Sequence, residues 1–126
     1  MVCDGTVPRT KLPQVLGEVR EISRKYSLPI ANVFHAGDGN LHPIILFDIR
    51  NEEETLRVKK AGTEILRSCV DAGGTISGEH GIGFEKLGEM SFIFSQDDIA
   101  AMWKLKNAFD PAGQLNPGKV LPPISS

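Results

Sequence analysis

The pattern of apolar and polar positions begins with an amphipathic segment near the start of the chain. Its apolar residues lie three and four positions apart, which is the spacing that one face of an α-helix requires. They are Leu12, Val15, Leu16, Val19 and Ile22. Thr10 is a residue type that caps helices, and Pro13 is tolerated in a first turn. The pattern therefore predicts a first helix that is capped by Thr10 and buries this stripe.

Short apolar runs elsewhere predict β-strands. Residues 28–36 are rich in β-branched and aromatic types, and the run 41–49 is similar. The turn-forming residues 37–40 lie between these runs, which predicts a hairpin. Residues 4–7 alternate ahead of the first helix and predict one more short strand.

A second helix is predicted from Asn51, which together with Glu54 three residues later matches a capping box. Its apolar stripe consists of Val58, Gly62, Ile65, Leu66, Cys69 and Val70. The glycine pair at 73–74 is expected to end this helix, because glycine readily adopts the left-handed conformation found there. A last strand is predicted at 74–77.

The predicted order is strand, helix, strand, strand, helix, strand. This order is typical of an α+β, ferredoxin-like β-α-β-β-α-β fold, in which an antiparallel sheet carries both helices on one face. C-terminal helices are predicted at 84–90 and 97–109, the second with Ser95 and Asp98 as its start and Ile99, Met102, Trp103 and Phe109 as its stripe. The proline-rich tail after residue 109 is expected to run extended over a surface.

Composition narrows the class of protein. The chain has 126 residues, 40% of them hydrophobic, and a formal net charge of −2, which indicates one ordinary globular domain and excludes a strongly basic nucleic-acid binder. Neither a transmembrane run nor a signal peptide is recognisable. Cys3 and Cys69 have no metal-type spacing, so we interpret them as reduced thiols of a cytoplasmic protein, with a disulfide or redox pair as the alternative.

The first candidate chemistry lies in the predicted hairpin. His35 and His42 bracket the turn, so strand pairing would bring both imidazoles to one end of the hairpin, where they could bind a divalent metal. The alternative is a plain hairpin turn in which each histidine bonds a backbone carbonyl. Asp38 and Asn40 could orient the imidazoles from a second shell, or simply form the turn.

The second candidate follows the last predicted strand, where Glu79 and His80 lie between glycines in the segment 78–83. A carboxylate added to two imidazoles makes a three-ligand set with an open position, as catalytic metal sites have. His80 would then be available as a general base. Two alternatives remain: Glu79 could cap a helix that begins near residue 84, or the loop could bind phosphate ahead of that helix.

Three motifs together resemble a known family. They are HAGDGNLHP, GTISGEHGIG and the closing AFDPAGQLNPGKVLP, and the opening DGTVPRTKLPQVL is similar as well. The chain resembles the C-terminal domain of the FAD-linked oxidases, the group that includes the glycolate oxidase FAD-binding subunit, D-lactate dehydrogenase and D-2-hydroxyglutarate dehydrogenase. The resemblance covers essentially the whole chain.

The resemblance implies a set of site residues. His35, His42 and Glu79 would hold a divalent metal, zinc more readily than manganese, and His80 would be the catalytic imidazole. Asn116, in the closing motif, would contact the FAD domain. The residues themselves, apart from the resemblance, indicate that the helix and tail carrying Trp103, Lys104 and Lys106 form either a core helix with a solvated basic edge or a docking surface.

The resemblance also implies an activity. Residues 1–126 would be the distal part of the substrate and metal domain, with the N-terminal FAD-binding domain absent and the fragment alone inactive. The complete enzyme would oxidise a 2-hydroxy acid, glycolate first among them, to the 2-oxo acid with hydride transfer to FAD. The protein would be cytoplasmic, or peripheral to the inner membrane through companion subunits that include an iron–sulfur protein.

Two hypotheses of other classes remain from the sequence. One is a stand-alone ferredoxin-like module that binds a small ligand or regulates a partner through its glycine-rich loops. The other is a structural docking domain whose histidines hold no metal. The first predicts thermal stabilisation by a small ligand without metal.

Overall fold

The computed structural model describes residues 1–123, so the last three residues of the predicted tail lie outside the described part of the chain. The contacts divide the chain into two compact units, the first formed by residues 1–80 and the second beginning at Gly81. Each unit has its own secondary structure, and the candidate histidines all lie in the first.

A three-stranded antiparallel sheet forms the centre of the first unit. Its strands are β1 (Gly5–Thr6), β2 (Ile30–His35) and β3 (Asn40–Ile45), arranged in the order β1-β3-β2. The hairpin predicted between the two longer strands is confirmed, with the closing pair His35–Asn40. Because β3 lies between two neighbours, its residues are mostly buried, whereas β2 is an edge strand and largely exposed.

Two helices pack against each other and against this sheet. They are α1 (Leu12–Tyr26) and α2 (Glu52–Asp71), and the buried residues of each reproduce most of the predicted apolar stripe. Ala61 joins the buried stripe of α2, whereas Val70 is only partly covered. The α+β class with an antiparallel sheet and packed helices is therefore confirmed.

The predicted fourth strand is reduced to a single bridge. Thr75 pairs with Thr6 through two backbone hydrogen bonds, Thr75 N to Thr6 O at 2.8 Å and Thr6 N to Thr75 O at 3.1 Å. Beyond this bridge the ladder stops, because the backbone N–H groups of residues 78–80 donate to a side chain instead. This interruption places the glycine-flanked segment beside the hairpin.

For the first two helices, one predicted N-cap is wrong and the other is confirmed. Thr10 is not a cap: it lies in a 3₁₀ helix (Arg9–Lys11), and the N-cap of α1 is Lys11, which makes no side-chain capping bond. Asn51 does cap α2 by accepting a hydrogen bond from Glu54 N at 3.1 Å. The carboxylate of Glu54 accepts from Asp48 N rather than from Asn51 N, so the capping box is only half formed.

In the second unit, the helix predicted at 84–90 is wrong. Residues 83–87 form turns, and a 3₁₀ helix follows at Gly88–Phe92. Phe84, the first residue of the predicted helix, is 67% exposed, whereas Met90 at its other end is buried. Of the apolar residues in this range only Met90 is fully buried, and a short α-helix needs more tertiary packing than that to be stable.

The last helix, α3 (Gln96–Phe109), is confirmed together with its Ser95–Asp98 capping box. Its stripe is only partly buried: Ile99 is covered, whereas Phe109 is 81% exposed. The tail returns along this helix, since Trp103 Nε1 donates to the carbonyl of Pro122 at 2.7 Å.

The buried carboxylate of Asp110 organises the start of the tail. It accepts from the backbone N–H groups of Gln114 and Leu115 at 2.9 Å each and pairs with Lys106. The bond from Lys106 is the main reason why the pKa of Asp110 is lowered. Lys106 also donates to the carbonyl of Leu115, so its ammonium is engaged by the tail.

The remaining expectations concern the thiols and the membrane. Cys3 and Cys69 are both buried and are not joined by a disulfide. Within residues 1–123, none of the helices combines the length and the apolar character that crossing a bilayer would require.

Gly39 closes the hairpin turn, and its replacement by alanine is expected to lower the free energy of unfolding by roughly 2 kcal/mol or more. Its φ is +73°, and an added Cβ would overlap the carbonyl oxygen of Val7. Gly17→Ala is the matched control: it lies exposed in α1 with nothing near the added Cβ, so a gain of about 1 kcal/mol is expected. Urea denaturation measures both, and equal stabilities of Gly39→Ala and wild type would contradict the turn geometry.

Candidate metal centre

The hairpin fixes the positions of two imidazoles. His35 is the last residue of β2 and is exposed, whereas His42 lies in the central strand opposite Val33 and is buried. The turn holds the end of β2 through hydrogen bonds from Asp38 N and Gly39 N to the carbonyl of His35, both at 3.0 Å. The two imidazole rings meet edge to face with their centroids 5.4 Å apart.

The segment after the Thr75 bridge supplies the remaining site residues, and a buried carboxylate anchors it. Asp4 is fully buried, and its Oδ2 accepts from Ser77 Oγ, Gly78 N, Glu79 N and His80 N at 2.8 to 3.1 Å. Consecutive N–H groups that converge on one anion form a backbone nest. The nest faces inward, and the side chains of Glu79 and His80 are exposed.

Gly78 lets this segment approach the hairpin closely. A Cβ at this position would lie 2.5 Å from Asn40 Oδ1 and 2.6 Å from Thr6 Oγ1, distances that no real side chain tolerates. Any larger residue would have to displace the side chains of Asn40 and Thr6, so glycine allows the close approach of the hairpin and the nest.

The two segments bring one carboxylate and three imidazoles together. Oε1 of Glu79 lies 2.9 Å from His42 Nε2 and 3.9 Å from His35 Nε2. The ring of His80 stacks on the ring of His42, with centroids 5.1 Å apart and planes inclined by 22°. The side chains of His35 and Glu79 are more than half exposed, so the cluster opens to solvent on one side.

These donors suit a divalent cation. Ligands bound at about 2.0–2.2 Å in a tetrahedral site lie roughly 3.4 Å apart. The separations of 2.9 Å and 3.9 Å from Glu79 to His42 and His35 lie on either side of that value. Within residues 1–123, Nδ1 of His42 and Oδ1 of Asn40 are buried without a hydrogen-bond partner, so the histidine is not satisfied by a backbone carbonyl.

The most compact set of potential ligands differs from the predicted one. One donor atom each from Asp4, His42, Glu79 and His80 lies within 4.8 Å of the others, and His35 is outside this group. The carboxylate of Asp4, however, is already engaged by the nest. His35 and His80 are thus the two candidates for the third ligand, and the assignment of His35 stays a prediction.

The predicted supporting residues lie in different surroundings. Asn40 is buried, and its Nδ2 is 3.4 Å from His42 Nε2, at the centre of the cluster. Asp38 is exposed in the turn, where its backbone takes part in the hairpin. Asn116 lies in the second unit with a φ of +48°, and its contact with an FAD domain stays a prediction.

The phosphate-loop alternative loses its structural basis. The N–H groups of 78–80 that would cradle a phosphate already donate to Asp4. Turns at residues 83–87 follow the loop, so the predicted helix whose N-terminus would bind the phosphate is not formed there.

Sequence reasoning missed Asp4, which it assigned only to a predicted strand. The one sequence feature that could have indicated its role is a carboxylate within an otherwise apolar opening segment, since buried charges need partners. Its partners lie more than 70 positions away along the chain, which no local pattern reveals.

A comparison of sequences decides the family. A family model described as FAD linked oxidases, C-terminal domain, matches residues 1–120. The chain belongs to this family. The resemblance noted in the histidine and glycine motifs is thereby confirmed.

Curated relatives of this FAD-linked oxidase domain include glycolate oxidase subunit GlcD of Escherichia coli strain K12, 52% identical over 96% of the chain and 24% of the relative. Glycolate oxidase subunit GlcD of Bacillus subtilis is 44% identical over 93% of the chain and 25% of the relative. The mitochondrial D-lactate dehydrogenase [cytochrome] of Arabidopsis thaliana is 31% identical over 98% of the chain and 22% of the relative. The chain thus spans about a quarter of the length of these relatives.

Proposed function

We propose that this chain is the metal- and substrate-binding part of an FAD-dependent 2-hydroxy-acid oxidoreductase, with glycolate as its first candidate substrate. The observation that carries the proposal is the convergence of Glu79 with His35 and His42, with His80 alongside. The names of the relatives favour a small hydroxy acid. In this proposal the FAD-binding domain lies outside these 126 residues.

In the proposed site, Nε2 of His42, a carboxylate oxygen of Glu79 and the imidazole of His35 hold the cation. A mixed nitrogen and oxygen donor set suits zinc and also accepts manganese, and zinc is the first candidate. When bound, the cation supplies Lewis-acid polarisation of the substrate hydroxyl, and FAD supplies the two-electron acceptor.

The proposed role of His80 follows from its position. Its imidazole is exposed next to the donor set, so a ring nitrogen can accept the hydroxyl proton of a bound 2-hydroxy acid. The stacked ring of His42 holds the His80 ring in place from the buried side. Asn40 lies beside this donor set, with its Nδ2 3.4 Å from His42 Nε2.

The proposal extends to partners. Because the GlcD relatives are named as subunits, we infer that the complete protein works within an oxidase complex, with an iron–sulfur protein among its expected companion subunits. Such partners would hold it at the cytoplasmic face of the inner membrane.

Anaerobic mixing of the complete protein with candidate substrates tests the proposed function. Glycolate is expected to bleach the flavin absorbance fastest, followed by D-lactate and D-2-hydroxyglutarate, while L-lactate serves as the stereochemical control. A flavin that none of these acids reduces would contradict the proposal. Thermal stabilisation by a small ligand in the presence of a chelator, without flavin reduction, would favour the ligand-binding module instead.

A further inference from the structure

We propose that Asp4 is the positioning residue of this site: its buried carboxylate holds the segment 78–80 so that Glu79 and His80 face the hairpin imidazoles. This inference rests on the proposed function for its catalytic meaning, but its structural core is independent of the substrate. Asp4 lies outside the hairpin and bonds to the backbone N–H groups of residues 78–80.

The register explains why Asp4 and not a strand ladder holds the segment. The antiparallel bridge between Thr6 and Thr75 places Asp4 opposite Ser77, two residues further along each chain segment. Beyond the bridge, the side chain of Asp4 replaces the backbone-to-backbone hydrogen bonds of a strand pair. It accepts from Ser77 Oγ at 2.8 Å and from Gly78 N at 3.0 Å.

A buried charge is stable only when surrounding groups compensate it, so the hydrogen bonds to Asp4 are required. Asp4 is 0% exposed, so its carboxylate must be compensated inside the protein. Hydrogen bonds to an ionised acceptor are roughly twice as strong as neutral ones. The bonds from Glu79 N and His80 N, at 3.1 and 2.8 Å, therefore fix the backbone of the two residues whose side chains form the site.

Asp4 also faces the buried side of the central imidazole. Its Oδ1 lies 3.9 Å from Nδ1 of His42, the ring nitrogen remote from Glu79. At this distance the two atoms are not hydrogen-bonded, so Asp4 places a carboxylate on the buried side of the ring without fixing the ring directly.

The test compares Asp4→Asn with Asp110→Asn in the complete protein. Asp110 is the matched control, because it is also buried and also accepts from consecutive backbone N–H groups, but it lies in the second unit. For Asp4→Asn we expect zinc affinity, measured by chelator competition, to fall by about 10-fold to 100-fold, with a parallel loss in kcat. For Asp110→Asn we expect a lower Tm and unchanged zinc affinity.

Wild-type zinc affinity and kcat in Asp4→Asn would overturn the inference, as would equal losses of zinc affinity in both variants. Ser77→Ala provides a second variant if Asp4→Asn does not fold, since it removes a single donor to the same carboxylate. It is expected to lower zinc affinity severalfold, and an unchanged affinity would contradict the role of Asp4.

Amide hydrogen exchange separates this inference from the proposed function. If the metal hypothesis fails, the wild-type protein binds no zinc, yet Asp4→Asn should still accelerate exchange at residues 78–80. Unchanged protection of these amides in the variant would contradict the positioning role of Asp4 whether or not zinc binds.

Discussion

Replacing His80 by alanine in the complete protein is expected to lower kcat by about 100-fold to 10,000-fold while the metal content stays at the wild-type level. The imidazole is exposed and stacks on His42, so its removal takes away the proposed proton acceptor without opening the core. Steady-state kinetics and elemental analysis of the same preparation measure the two quantities. Because the site opens to solvent, added imidazole should restore part of the lost activity.

The metal content of His80→Ala is the critical control. His80 contributes a donor atom to the compact group around Glu79, so a ligand role is the competing explanation. Loss of metal together with activity would make His80 a ligand. Full activity with full metal content would exclude both roles.

Glu79→Gln is expected to reduce zinc affinity at least about 100-fold and to abolish turnover, because the amide keeps the shape of the side chain but loses its charge. The carboxylate is 54% exposed, so little change in Tm is expected. Zinc titration against a competing chelator measures the effect. Glu53→Gln, at an exposed position in the first turn of α2, is the matched control and should bind zinc as wild type does.

His35→Ala extends this experiment to the third ligand. Its Nε2 lies 3.9 Å from Glu79 Oε1, further than that of His42, so a smaller loss of zinc affinity than in Glu79→Gln is expected. Unchanged zinc affinity in His35→Ala would remove it from the ligand set. Unchanged affinity in Glu79→Gln would contradict the metal centre itself.

The parts of the fold that the sequence predicted are those determined by local chemistry. The hairpin followed from turn residues between two β-prone runs, and the cap of α2 followed from Asn51 three residues before Glu54. Two of the site imidazoles came with the hairpin, since pairing of its strands leaves His35 and His42 near the same end.

The errors arose where contacts distant in sequence replaced local preference. The fourth strand shrank to one bridge because the backbone of 78–80 bonds to Asp4, whose position in the chain carries no pattern that links it to this segment. The helix predicted at 84–90 does not form, because only Met90 of its apolar residues is fully buried and packing does not stabilise an α-helix there. Thr10 has a side chain that can cap a helix, but it lies within a 3₁₀ helix that precedes Pro13.

The candidate site, like the fold, was predictable from local sequence only in part. Glu79 and His80 could be proposed from their glycine-flanked position, but their approach to the hairpin depends on Gly78 fitting against Asn40 and on the anchor at Asp4. These contacts join residues from opposite ends of the first unit, and only the tertiary structure reveals them.

Anomalous diffraction at the zinc edge, from crystals of the complete protein, tests the central claim most directly. The account predicts a single strong peak at bonding distance, about 2 Å, from His42 Nε2 and a carboxylate oxygen of Glu79, with His35 as the third ligand. A zinc-soaked crystal without a peak between the hairpin and residues 78–80, or with zinc bound only elsewhere, would contradict it.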